Sequence, residues 1–148
     1  MATGKLIPVA VETRYHVEVL RYIRNSCASY MTRHRDIISI EQQQLWWKTL
    51  NRETWKVFIY WLGNMIVGFG VLRLEDGKYW VTGGLIENAR GHGLGRELFA
   101  HLINLVEDNI WLEVLETNKV AHRLYIKLGF VETSRKDGVI TMVLVKAK

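Results

Sequence analysis

The sequence holds one cysteine, Cys27, and one proline, Pro8. A lone cysteine excludes an intrachain disulfide and fits a reducing compartment. No apolar run is longer than a strand, so no transmembrane helix is expected. The opening stretch MATGKLIPVAVETRYH lacks the charged-then-apolar layout of a secretory signal, and a cytoplasmic location is the expectation. Linkers, repeats and low-complexity tracts are also missing. The 148 residues suit one domain over 1–148 with one core. The five histidines show no metal-ligand spacing and no cysteine pair accompanies them, so no metal site is expected. The formal net charge of +5 is spread along the chain except at Arg33, His34 and Arg35. Such a cluster reads as a solvated loop before it reads as a nucleic-acid site. A mild positive field also suits an anionic ligand.

What is present has a clear order. KLIPVAVE reads as a strand, with Pro8 placing it at a sheet edge. Val17, Leu20, Ile23 and Cys27 then fall at helical spacing, which makes Cys27 a core residue rather than a nucleophile. Ser39 to Gln42 is a capping box opening a second helix with Leu45, Trp46 and Leu50. WKVFIYWL, MIVGFGVLRLE and KYWVTGGLIE form a meander with turns at Gly63-Asn64 and Asp76-Gly77. A helix with Leu94, Leu98, Leu102, Leu105 and Val106 follows, then the strand IWLEVL. The next helix has Asn118 as N-cap and Gly129 as its stop. Two strands joined at Asp137-Gly138 close the chain. The order β-α-α-β-β-β-α-β-α-β-β predicts an α/β fold. Its sheet is mixed and mostly antiparallel, with a central parallel βαβ crossover and helices on both faces.

Between the third meander strand and its helix lies ENARGHGLGRE, with Gly91, Gly93 and Gly95 at alternate positions. Glycine costs backbone entropy, so a tight turn or a closely approaching ligand must offset it. A strand, a glycine turn and a helix N-terminus together make an anion site, because free N–H groups and the positive helix end converge there. Arg90 and Arg96 can add charge-assisted bonds. A phosphate or pyrophosphate is the expected ligand. No Gly-Lys-Ser/Thr occurs, which excludes a Walker A loop. In a Rossmann reading the third glycine falls on Arg96, which cannot give close helix–strand packing.

Arg90-Gly91-His92-Gly93-Leu94-Gly95 fits R-x-x-G-x-G, and WLEVLETNKVAHRLYIKLGF, Trp111 to Phe130, carries a second signature. Together they resemble the GNAT acetyltransferase superfamily. The resemblance implies the GNAT fold, with acetyl-CoA as cosubstrate. It implies that pantetheine pairs with backbone near Leu85, Ile86 and Glu87, and that pyrophosphate lies on N–H groups of Arg90, Gly91, His92, Gly93, Leu94, Gly95 and Arg96. Asn118 faces the pantetheine arm from the other side. Tyr125 matches the family tyrosine that protonates the departing thiolate; from periodicity alone it reads as a core aromatic. Glu113, in LEV, resembles the base of the ribosomal-protein alanine acetyltransferases, with Glu87 or an ordered water as alternatives. The helix-loop-helix before the meander borders the acceptor in this fold, which makes Arg33 and Arg35 candidates for an anionic acceptor.

The expected function is transfer of acetyl from the thioester to a primary amine of a small molecule or peptide. Two readings compete with it: a basic RNA-associated module, such as a toxin acetylating aminoacyl-tRNA, and a CoA-binding protein without catalysis. No membrane partner is expected, and a homodimer is compatible with the sequence.

Overall fold

The computed structural model describes residues 5–28, 31 and 36–146. Seven strands form one sheet in the order β1-β2-β3-β4-β5-β7-β6. They are β1 (Ile7–Ala10), β2 (Trp55–Leu62), β3 (Met65–Glu75), β4 (Lys78–Leu85), β5 (Ile110–Leu115), β6 (Val131–Lys136) and β7 (Val139–Leu144). The helices are α1 (Arg14–Ser26), α2 (Ile40–Thr49), α3 (Leu94–Ile103) and α4 (Lys119–Lys127). Element order follows the expected β-α-α-β-β-β-α-β-α-β-β, and Pro8 does lie on an edge strand, paired with β2 alone. No helix among the described residues is long and apolar enough to cross a membrane.

Alternation along the central strands gives each face its own core. Ile59, Phe69 and Val71 pack with Val17, Leu20, Ile23 and Cys27 of α1. Their neighbours Tyr60 and Leu72 turn the other way, onto Leu98 and Leu102 of α3. Tyr125 of α4 joins this second cluster, edge-on to Phe99 at 5.0 Å between ring centroids. On that face Tyr60 Oη lies 2.7 Å from His101 Nδ1, so the one polar end of a buried ring is satisfied.

The capping box expected at Ser39 is made. Gln42 N donates to Ser39 Oγ and Ser39 N donates to Gln42 Oε1, closing the capping box of α2. The apolar residues of this helix do not all face inward, however. Leu45 is exposed, and Gln43 is the residue this helix buries. Trp46 is half-buried against Trp55, with ring centroids 6.2 Å apart. Trp47 lies beneath the Arg52 guanidinium, 3.8 Å from its ring centroid. A short amphipathic helix chooses its inner face by the bulk of its indoles, so the single leucine at position 45 is left outside. Leu105 and Val106, expected on the helix after the glycine loop, are a correction, because α3 ends at Ile103.

The sheet is continuous except at its centre. β3 and β4 pair over eight residues, from Glu75↔Lys78 to Gly68↔Leu85. β4 and β5 run parallel and pair only at Tyr79↔Ile110 and Trp80↔Trp111. Beyond those two positions the strands part. α1 packs against the parted end of β4 through a close approach, since a Cβ on Gly84 would stand 2.8 Å from Cys27 Sγ. Overpacking of this kind typically costs about 1–3 kcal/mol. Gly84→Ala is expected to lower Tm by roughly 3–10 °C in a chain of this size. An unchanged melting curve means that α1 does not bear on β4 as described.

Candidate functional site: the cleft between the parted strands

The parting of β4 and β5 opens a cleft of about 1620 Å³. One wall is the end of β4, reaching Leu85. The opposite wall is β5 with the start of α4, and α3 begins at the cleft's rim. At one end lie the glycines; at the other lie Trp46, Trp55, Arg73 and Trp80.

The glycine end is built to receive an anion. Gly91 and Gly93 have φ of +81° and +79°, a region that disfavours side chains. A Cβ at either would meet nothing within 4 Å, so the space above the turn is open. Gly93 is the N-cap of α3 and supplies no side-chain hydrogen bond. α1, α2 and α4 are each capped by a side chain, from Thr13, Ser39 and Asn118. Of the four helices, α3 alone leaves its first turn of N–H groups to an outside acceptor. Gly95 has a different task. It is helical, and a Cβ there would stand 3.3 Å from Leu124 Cδ2 and 3.8 Å from Leu85 Cδ1. Its bareness lets α3, α4 and β4 meet at the root of the cleft. A phosphate-bearing cofactor fits this end, and Gly91, Gly93, Gly95 and Arg96 all line it.

The side chains around the loop take separate places. Leu94 is buried in the core and His92 is exposed outside the cleft lining. Arg90 turns back from the loop: its Nε donates to the Leu85 carbonyl at 3.0 Å, and its Nη2 lies 3.9 Å from Cys27 Sγ. Cys27 Sγ also lies 3.3 Å from that carbonyl. The Leu85 carbonyl, expected to be exposed backbone, is therefore engaged from two sides. Ile86 N donates to Val67 O at 2.9 Å. Glu87 begins a 3-10 turn through Ala89 and is exposed, outside the cleft lining.

Glu113 and Tyr125 come to the cleft from opposite sides of its closed wall. Glu113 stands on β5 one alternation past Trp111, beyond the last β4–β5 pair. Tyr125 sits one turn beyond Ala121 on α4, held between Phe99 and Phe130 at 5.0 and 6.0 Å. Burial raises its phenol above the ordinary 10.0, so it remains protonated through neutral and mildly alkaline pH. Asn118 lines the cleft, but its Oδ1 accepts from Ala121 N at 3.3 Å as the α4 cap. Arg33 and Arg35 lie outside the described residues. No group of three or more His, Cys, Asp and Glu gathers to hold a metal among the described residues.

Sequence reasoning missed the far end of the cleft. Arg73 and Gln43 are the two buried polar residues there. A signal was present for the first. Phe69, Val71 and Arg73 share one face of β3, so an arginine occupies a position that alternation assigns to the core.

Comparison with known proteins agrees with this geometry. The acetyltransferase (GNAT) family model matches residues 18–130. Among curated proteins none matches the chain. Several solved structures share its fold. A ribosomal-protein-alanine N-acetyltransferase from Brucella melitensis aligns over 94% of this chain and 99% of its own, at 20% identity and a TM-score of 0.77. A spermidine N-acetyltransferase from Vibrio cholerae, solved with CoA and spermine, aligns over 96% of each chain, at 18% identity and 0.79. A phosphinothricin acetyltransferase from Sinorhizobium meliloti, solved with acetyl-CoA, covers 97% of this chain and 90% of its own, at 13% and 0.80. With the parted strands, the uncapped helix and a family match over most of its length, the chain belongs to the GNAT acetyltransferase family.

Proposed function

We propose that the protein is an acetyl-CoA-dependent N-acetyltransferase acting on a primary amine. The observation that carries this reading is one cleft holding both the uncapped α3 N-terminus and the pair Glu113 and Tyr125. The family match and the neighbours solved with CoA or acetyl-CoA support the same choice of cofactor.

Bound in the cleft, acetyl-CoA supplies acetyl as a thioester, whose C–S bond breaks as an N–C bond forms to the acceptor. The α3 N–H groups and Arg96 hold the phosphates at the glycine end. Glu113 is the group on the acceptor side that takes the proton lost by the amine. Tyr125 donates a proton to the departing sulfur, and the buried ring is suited to it because the phenol remains neutral. With Glu87 outside the cleft lining, the alternative to Glu113 is an ordered water.

CoA is expected to raise the melting temperature, as any ligand selective for the native state does. Gly93→Val puts a branched side chain at φ +79° and into the anion's space, and should abolish that shift. Normal CoA binding by this variant rejects the loop assignment.

Tyr125→Phe keeps the ring packed on Phe99, so Tm and CoA affinity should survive while kcat falls about 10²–10⁴-fold. In the wild type, any alkaline loss of kcat below pH 10 should persist in Tyr125→Phe, since the raised phenol does not titrate there. Glu113→Gln should remove the ionisation through which wild-type kcat/KM rises with pH. A near-normal kcat in the tyrosine variant makes Tyr125 a packing residue, and an unaltered pH profile in the glutamate variant moves the base to water.

A further inference from the structure

Arg73 is a cation in an unusual place. Its side chain is 9% exposed, on the face of β3 that otherwise builds the α1 core. Nε donates to Glu75 Oε2 at 3.0 Å and Nη1 donates to Thr82 Oγ1 at 3.3 Å. Its guanidinium carbon lies 5.7 Å from the Trp55 ring centroid and 5.6 Å from that of Trp80. Nη2 makes no hydrogen bond among the described residues. The Gln43 amide, in a residue 5% exposed, likewise makes none, and both side chains line the cleft.

Stability does not explain this arrangement. A buried arginine loses hydration, and an apolar pair of similar size would serve the sheet as well or better. Indole faces attract the charge but cannot accept the in-plane N–H groups. Glu75 is itself 45% exposed and takes one edge only. The remaining edge opens to the cleft, where a carboxylate would find a charge-assisted partner in a half-dry site.

The position fits the acceptor rather than the cofactor. Arg73 pairs with Trp80, and Trp80 with Trp111, two residues before Glu113. By strand spacing and rise the Arg73 and Glu113 backbones are at least about 12 Å apart, and the parting of β4 from β5 widens that distance. The bond to Thr82 draws the guanidinium along β4 toward the parted end. A positive and a negative side chain thus approach each other on one face of the sheet, across a gap suited to the two ends of one small zwitterion.

We propose that Arg73, with Thr82 beside it and Gln43 lining the same cleft, is the carboxylate-binding subsite of the acceptor, and that the acceptor is a free amino acid whose amine faces Glu113. The inference rests on the acetyltransferase reading and names its substrate class.

The test titrates CoA-saturated protein with free α-, β- and γ-amino acids, each against its carboxamide. The readout is tryptophan fluorescence, because Trp55 and Trp80 flank the guanidinium. Acetylation of the same pairs is measured alongside. At least one amino acid should bind about 10–100-fold more tightly than its carboxamide, the range of a charged hydrogen-bonded contact. Arg73→Gln should remove that preference while keeping the CoA thermal shift, and Arg73→Lys should restore part of it. Equal binding of acid and carboxamide by the wild type overturns the proposal, even if the glutamine variant fails to fold. So does a preference that survives in Arg73→Gln, or acetylation confined to amines without a carboxylate, such as polyamines. These last outcomes leave acetyl transfer standing, whereas absence of any CoA shift in the wild type rejects the acetyltransferase reading itself.

Discussion

Everything that makes this molecule more than a sheet with helices follows from two parallel pairs. Tyr79↔Ile110 and Trp80↔Trp111 are all that join β4 to β5. A backbone that leaves its ladder must find other partners or expose its polar groups. β3 keeps one edge of β4 fully paired, and β7 does the same for β5 over six residues. Each half of the sheet therefore keeps its own ladder across the parting, while one hydrophobic core beneath spans both. Trp80 and Trp111, tilted at 40° with ring centroids 6.0 Å apart, mark the point where pairing stops.

The width of that gap is set by side chains that are small or missing. Gly95 lets the first turn of α3 reach Leu124 of α4 and Leu85 of β4 together. Gly84 lets α1 lie against the same strand through Cys27. The three glycines of the loop thus divide two tasks. Gly91 and Gly93 take left-handed turns that aim the uncapped N–H groups outward. Gly95 draws the walls inward. A plain turn would need the first task alone, which is why three glycines stand in so short a stretch.

Element order was legible because it rests on period and punctuation. Helical spacing of Val17, Leu20 and Ile23, the box at Ser39, and paired turn residues at Asp76-Gly77 and Asp137-Gly138 all act within a few residues of themselves. Glu113 and Tyr125 were legible only through a motif, since a strand glutamate and a helix tyrosine carry no local mark of the cleft they share. Side-chain directions were less legible than element order. The Arg90 guanidinium reaches back to the Leu85 carbonyl on β4. On α2 it is Gln43 and not Leu45 that faces inward, toward the cleft. Arg73 broke the alternation of β3 in plain sight, and a single polar residue on an apolar face was the one available sign of the far end of the cleft.

The two ends of the cleft ask for opposite kinds of chemistry, and the fold separates them by mechanism. At the glycine end, positive potential comes first from backbone, a helix terminus with no cap that holds its donors rigid, with Arg96 beside it. At the far end it comes from the Arg73 guanidinium, fixed by Glu75, Thr82 and two indoles. Backbone donors suit a ligand that every member of a fold must hold in the same way, since their placement depends on the turn and not on residue identity. A side chain on a strand face can be exchanged without disturbing the ladder beneath it. If Arg73 holds the acceptor as proposed, specificity can change at position 73 while the strands, the splay and the uncapped helix end remain as they are.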